Sequence, residues 1–159
     1  MSDRLLAALA AYRAASAVTV IGPGVTDPLV AYGAHFPGAV FTLFEPDPRA
    51  AAQLARHTPE RFQVVTRAAA APLPPAQVAI IRHPDVHRLW ATWVGAFDAA
   101  VRSLLAHGVL AITCYSWAEA QRVRNWFLNE ALELHLFGPE HLTLVEFSGA
   151  DRYILLHNT

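Results

Sequence analysis

Apolar residues in this chain occur in short continuous runs that alternate with segments of helical periodicity. Four runs have the length of buried strands and are bounded by glycine, proline or polar residues: 18–21, 40–45, 62–65 and 77–81. A fifth run, 108–115, has almost no polar residue at alternate positions, which is typical of a strand covered on both faces. The pattern therefore predicts five parallel strands with helices packed against them.

Helices are predicted between these strands. Residues 86–105 give the clearest one, because their apolar side chains form a single stripe at helical spacing. The other predicted helices run over 1–16, from Asp27 or Pro28 through Gly33, over 48–57 and from Trp117 to Leu132. Strand and helix signals thus alternate along most of the chain.

The pattern changes at the C-terminus. Two apolar runs, HLTLVEF and RYILLHN, are separated only by residues 148–151, SGAD. A four-residue connection that contains glycine fits a hairpin and is too short for a crossover helix. We therefore predict one α/β domain over 1–159, a three-layer Rossmann-like sandwich with a mostly parallel seven-stranded sheet that ends in an antiparallel hairpin.

The amino-acid composition excludes several kinds of catalytic chemistry and of binding partner. The chain is 54% hydrophobic, which argues against disorder, and its 12 basic residues are all arginine. The absence of lysine excludes a P-loop lysine and a Schiff-base lysine. A net charge of −1 without a basic block gives no support for nucleic-acid binding. No apolar segment is long enough for a membrane span, and the N-terminus is not typical of a secretory signal, so we expect a cytoplasmic protein without a membrane partner.

Cys114 is the only cysteine, so an intramolecular disulfide is impossible. Its place in an apolar strand favours a packed small hydrophobe over a nucleophile.

The first strand ends abruptly at Gly22-Pro23-Gly24. Glycines after a strand let the backbone approach a ligand, although the same residues could form a plain turn. Glu45 ends the second strand, one strand–turn–helix–strand unit later, which is where a ribose-binding carboxylate is expected. The alternative for Glu45 is a cap on the helix that follows.

A dense polar group follows the fourth strand, with Arg82, His83, Asp85 and His87 in one short segment. Because ligands bind at the carboxyl ends of strands in open α/β sheets, we expect this group at the ligand edge. His83 could act as a general base or could simply be bonded to nearby backbone. A metal site is the weaker hypothesis, since Asp85 is equally plausible as a helix N-cap, and we expect no metal.

Taken together, these features resemble the class I S-adenosylmethionine-dependent methyltransferases, in which a seventh strand inserts between the fifth and the sixth. VTVIGPG looks like the family's glycine-rich motif, and FTLFEPDP looks like its acidic end of strand two. The resemblance implies S-adenosylmethionine as cofactor. It places the methionine part at Gly22, Pro23 and Gly24, the ribose at Glu45, and the adenine beside Pro46, Asp47, Arg67 and Ala68. The sequence departs from the family at Val20, where an acid is common, at Thr26, where a third glycine is common, and at Arg67 and Ala68, where an acid is usual.

The resemblance also implies methyl transfer to a small-molecule acceptor, with Arg82 or His83 positioning the acceptor or taking its proton. The alternative is a non-catalytic protein of the same fold that binds a ligand or a partner. A third hypothesis is a Rossmann protein that binds a nicotinamide cofactor, but the third glycine of the dinucleotide-binding motif is missing. Bulky residues such as Trp93, Trp126 and Phe127 in so short a chain also predict a homo-oligomer, most simply a dimer.

Overall fold

The structure, a computed structural model, describes residues 4–23, 28–66, 72–131, 142–145 and 152–158. Its seven strands are β1 (Ala17–Ile21), β2 (Val40–Phe44), β3 (Phe62–Val65), β4 (Ala76–Arg82), β5 (Leu104–Cys114), β6 (Leu142–Val145) and β7 (Arg152–His157). They form one sheet in the order β3-β2-β1-β4-β5-β7-β6. The first five are parallel, and β7 is antiparallel to both β5 and β6. The predicted fold class and the insertion of the last strand between β5 and β6 are confirmed.

In the described ranges five α-helices accompany the sheet: α1 (Arg4–Ala8), α2 (Leu29–His35), α3 (Pro48–His57), α4 (Trp90–Ser103) and α5 (Trp117–Trp126). A 3₁₀ turn, Ala10–Tyr12, follows α1, and a π-helical turn, Phe127–Ala131, follows α5. No helix in the described ranges is long and apolar enough to cross a membrane.

The core consists of two clusters, one on each face of the sheet. One cluster joins the strands to α4 and α5, through residues such as Ile81, Phe97 and Val123. The other joins the strands to α1 and α2, through residues such as Ile80 and Tyr32. Neighbouring residues 80 and 81 belong to opposite clusters, as the alternation of side chains along a buried strand requires.

Several predicted boundaries were wrong. The helix predicted over 86–105 begins only at Trp90, because a turn precedes it in which Asp85 accepts a hydrogen bond from the Arg88 N–H at 3.1 Å. It ends at Ser103, and β5 begins at Leu104, where the backbone becomes extended and pairs with Ala76. Asp85 therefore caps this turn and is not the N-cap of α4.

The ends of other predicted elements also moved. The first helix is shorter than predicted, and α5 becomes a π-helical turn after Trp126. Leu132, Asp27 and the SGAD connection lie outside the described residues.

Two of the bulky side chains from which we predict a dimer are buried within one chain and give no support for association. Trp126 is 4% exposed and Phe127 is 2% exposed, so a single chain covers both side chains in its own core. Trp93 is half-buried and packs against the same cluster.

The strand register brings the predicted site residues to one edge. Ile21 lies opposite Phe44 on β2 and opposite Ile81 on β4, and all three strands are parallel. Gly22, Glu45 and Arg82 are the next residues of their segments, so they share the carboxyl edge of the sheet. This placement matches the prediction from sequence, while the roles of the residues stay predictions.

Candidate functional site

The turn after β1 is built around Gly22. Its N–H donates a hydrogen bond to the Phe44 carbonyl at 2.8 Å, which fixes the turn against the end of β2. Its φ is +61°, a left-handed value that glycine adopts without steric cost. Pro23 is buried beside it, whereas Gly24 lies outside the described residues.

Trp93, from the first turn of α4, fills the space beside Gly22. The Cη2 atom of its indole lies 2.9 Å from the position that a Cβ atom on Gly22 would take, and Cζ2 lies 3.8 Å from it. Its ring also stacks on Phe97, with centroids 6.5 Å apart. The indole therefore occupies the space that a side chain on Gly22 would need. The sequence predicts Trp93 only as part of the apolar stripe, because its contact with the glycine turn depends on how α4 packs.

The indole nitrogen of Trp93 is itself unusual. Nε1 is buried, and within the described residues it has no hydrogen-bond partner. Buried N–H groups without an acceptor are uncommon in folded proteins, and each such group calls for an explanation.

Glu45 lies directly beside this turn at the end of β2. Its side chain is buried, its N–H donates to the Val65 carbonyl at 3.1 Å, and its Oε1 accepts the Asp47 N–H at 3.0 Å. Asp47 is the N-cap of α3 and accepts the Arg49 N–H at 2.8 Å. The alternative in which Glu45 caps the helix is therefore wrong, because Asp47 has that place. Pro46 and Asp47 are exposed on the same edge.

His83 is held at the end of β4 by the neighbouring strand. Its N–H donates to the Thr113 carbonyl at 3.0 Å and contacts Thr113 Oγ1 at 3.2 Å. Its ring stacks on Tyr115, with centroids 3.8 Å apart and planes 15° apart. Arg82 lies opposite Thr113 in the register and is half-buried. The structure thus brings Arg82 and His83 together with the end of β5.

Glu119 caps the N-terminus of α5 and also lies close to His87, the second histidine after β4. Its Oε2 accepts the backbone N–H groups of Tyr115 at 2.8 Å and Ser116 at 3.1 Å, and Ser116 completes a capping box. Its Oε1 lies 3.6 Å from Nε2 of His87. His83 and His87 thus contact different partners, and no group of three metal-ligating side chains occurs in the described part of the chain. The sequence gives no signal for the pairing of His87 with Glu119, because these two residues belong to separate elements.

Cys114 is a core residue at this edge. It is 1% exposed, and burial, with a smaller contribution from Glu119, raises the pKa of its thiol to about 12. A thiol that stays protonated at neutral pH is a poor nucleophile, which supports its role as a packed small hydrophobe.

Arg67 and Ala68, the residues expected beside the adenine, lie outside the described residues. The structure therefore places Gly22, Pro23, Glu45, Pro46, Asp47, Arg82 and His83 of the predicted site.

No protein-family model and no curated protein sequence matches this chain. Solved structures do match it. N-methyltransferase NodS from Bradyrhizobium japonicum WM9 superposes with a TM-score of 0.65 at 18% identity, over 98% of this chain and 92% of that one. Precorrin-6y C5,15-methyltransferase from Geobacter metallireducens GS-15 gives 0.69 at 14% identity, over 98% and 86%.

A third match is longer than this chain. Human N-acetylserotonin methyltransferase in complex with S-adenosylmethionine gives a TM-score of 0.70 at 12% identity, and the match covers 98% of this chain but 51% of that protein. At such identities the similarity shows the fold alone. This chain has the fold of the class I S-adenosylmethionine-dependent methyltransferases.

Proposed function

We propose that this chain binds S-adenosylmethionine at the carboxyl edge of its sheet and transfers the methyl group to a small-molecule acceptor. One observation carries the proposal. The Gly22 N–H is bonded to the carbonyl of Phe44, the residue directly before Glu45. A left-handed glycine and a buried carboxylate therefore lie side by side at the edge where this fold receives its ligands.

The residues fit the chemistry of the cofactor. A backbone without side chains at Gly22 suits close approach by the amino-acid part, and a carboxylate at Glu45 can accept hydrogen bonds from both ribose hydroxyls. In this proposal the methionine part lies along Gly22, Pro23 and Gly24, and the adenine lies beside Pro46, Asp47, Arg67 and Ala68.

When bound, the cofactor supplies the methyl group on a positively charged sulfur. The protein has to hold an acceptor in line with that group, which accounts for much of the rate gain in such reactions. We assign this task to Arg82 and His83. The stack on Tyr115 fixes the imidazole of His83, and a fixed imidazole can take a proton from the acceptor.

Calorimetric titration with S-adenosylhomocysteine tests the cofactor site. We expect Glu45→Ala to weaken binding roughly tenfold or more, because the ribose loses a charged acceptor. Glu45→Gln is the matched variant, since its amide oxygen can still accept the Asp47 N–H while the charge is lost. If the wild type shows no binding at millimolar ligand, the cofactor proposal is wrong. If the wild type binds the ligand and both variants bind it as tightly as the wild type, only the ribose assignment is wrong.

We also propose a homodimer in the cytoplasm. Exposed apolar side chains support association, for example Val30 at 88% and Leu105 at 43% exposure. Light scattering that returns a mass near 17.4 kDa over a wide concentration range would contradict the dimer.

A second candidate function is a non-catalytic module of the same fold. The observation in its favour is the indole of Trp93 against Gly22, in the space that a ligand on the turn would approach. Val20, where the family often has an acid, is fully buried in the apolar core and supports the same view. If the indole blocks the site, Trp93→Ala should bind S-adenosylhomocysteine more tightly than the wild type. Weaker binding by this variant would reject the blocked-site hypothesis.

A further inference from the structure

The stack of His83 on Tyr115 leaves one face of the tyrosine ring open. The imidazole covers the other face, with the ring centroids 3.8 Å apart and the planes 15° apart. Tyr115 is nevertheless 64% exposed, and in the described part of the chain no second ring packs on it. An open aromatic face of this kind favours a planar ligand, because stacking stabilises aromatic pairs beyond the apolar area that they bury.

The tyrosine ring is also held in place before any ligand arrives. The Tyr115 N–H donates to Oε2 of Glu119 at 2.8 Å, which fixes the backbone. The imidazole behind the ring is fixed as well, because the His83 N–H donates to the Thr113 carbonyl at 3.0 Å. A group that is already ordered loses less conformational freedom when a ligand binds to it. Tyr115 is therefore better prepared to bind a ligand than an isolated tyrosine on the protein surface.

The strand order places this ring away from the adenine side of the proposed cofactor site. In the sheet β4 lies directly beside β1, and β5 lies beside β4, whereas β2 and β3 lie on the other side of β1. The proposed function assigns the ribose and the adenine to the segments after β2 and β3. Tyr115 follows β5, so it lies two strand spacings from the end of β1, or roughly 10 Å. A molecule on Tyr115 would lie beside the cofactor without occupying the adenine position.

We propose that the methyl acceptor is a planar aromatic molecule that stacks on the open face of Tyr115, an inference that rests on the proposed function. The acceptor continues the stack that His83 begins. Tyr115 contacts the acceptor directly, and His83 helps to position it through the tyrosine ring.

The experiment compares two probes, 2-naphthol and decahydro-2-naphthol. The second compound has the same carbon skeleton and hydroxyl group but no flat aromatic face. Each probe is titrated by calorimetry into protein that is saturated with S-adenosylhomocysteine. We expect the wild type to bind 2-naphthol about two- to tenfold more tightly than the saturated compound, which is the range that one aromatic stack contributes.

Three variants locate the source of this preference. Tyr115→Leu should abolish it, because leucine offers apolar surface without a ring, whereas Tyr115→Phe keeps the ring and should keep the preference. Trp117→Leu is the matched control, since Trp117 is 38% exposed only two residues later and no ring in the described chain stacks on it. A preference that survives Tyr115→Leu, or that Trp117→Leu removes instead, would overturn the inference.

Titration of S-adenosylhomocysteine alone separates this inference from the proposed function. If the wild type does not bind S-adenosylhomocysteine, the proposed function is wrong and the inference is rejected with it. If the wild type binds S-adenosylhomocysteine but does not prefer 2-naphthol to the saturated compound, the inference alone is wrong.

A second measurement needs no variant. In proton spectra of the wild type with S-adenosylhomocysteine and 2-naphthol, nuclear Overhauser effects should connect the naphthol ring protons with the ring protons of Tyr115. Such effects to a different aromatic side chain, with none to Tyr115, would contradict the proposed stack.

Discussion

Cη2 of Trp93 lies 2.9 Å from the place where a side chain on Gly22 would begin. This contact joins α4 to the turn after β1, two elements far apart in the sequence. It gives Gly22 a structural reason for lacking a side chain, in addition to its left-handed φ of +61°. The glycine would therefore be needed here even without a ligand.

Gly22→Ala should lower the free energy of unfolding by about 1–3 kcal/mol, because alanine is strained at this φ and its methyl group meets the indole. Urea denaturation measures the change. Gly38→Ala is the control, since no atom lies within 4 Å of a Cβ placed there. In a Trp93→Ala background the steric part should vanish, so the cost of Gly22→Ala should fall. An equal cost in both backgrounds would show that the indole contact has no energetic effect.

The sheet was predictable because buried strands have a strong local signature. β3 was predicted residue for residue as Phe62–Val65, and the antiparallel final pair followed from its short connection. The start of β5 was not predictable. Leu104 continues the apolar stripe of α4, and only its pairing with Ala76 makes it a strand residue. Local periodicity contains no information about that pairing.

Only part of the candidate site could be predicted from the sequence. The motif places Gly22 and Glu45 at the ends of neighbouring strands, because the topology fixes where strands end. The contacts of Trp93 with Gly22 and of His87 with Glu119 depend on the rotation of helices about their axes. Such rotation is set by packing of the whole core, so no short motif predicts it.

Cys114 should make the stability of the protein sensitive to alkaline pH. Burial raises the pKa of the folded thiol from the ordinary value of 9.0 to about 12, so the unfolded chain loses this proton first. The contribution of the buried thiol to the free energy of unfolding is complete below pH 9.0 and declines as the pH rises towards about 12. The slope is about 1.4 kcal/mol per pH unit while only the unfolded thiol is ionised.

Urea denaturation at several alkaline pH values tests this slope. Burial also raises the pKa of Tyr12 and Tyr153, and their contributions persist in Cys114→Ala. The difference between the wild type and Cys114→Ala therefore isolates the thiol. Parallel pH profiles for the two proteins would contradict the prediction.

Arg61 should stabilise the C-terminal end of α2. Its Nη1 donates to the carbonyls of Phe36 at 2.9 Å and Pro37 at 3.0 Å, and its Nη2 donates to the carbonyl of Gly33. Lysine keeps the charge but cannot reproduce this planar fork. We expect Arg61→Lys to lower the free energy of unfolding by about 2 kcal/mol. Arg56→Lys, at an exposed position of α3, is the control, and an equal loss in both variants would refute the role of the fork.

His83 should tolerate asparagine better than valine. Its φ is +49°, in the left-handed region, where asparagine is favoured among residues with a side chain and β-branched residues are disfavoured. Both substitutions remove the stack on Tyr115, which contributes about 0.5–1.5 kcal/mol. We expect His83→Val to lose about 1–2 kcal/mol more than His83→Asn, measured by urea denaturation, because only valine adds backbone strain.

The same two substitutions at His87 are the control for His83. His87 has no left-handed backbone, so the valine and asparagine variants should differ there by less than about 0.5 kcal/mol. Equal stability of the two His83 variants would mean that the left-handed turn relaxes easily. If instead the expected difference is found, His83→Asn is the variant in which to test proton transfer. It keeps the turn at the end of β4 and its contact with Thr113, so a loss of methyl transfer would then be due to the missing imidazole.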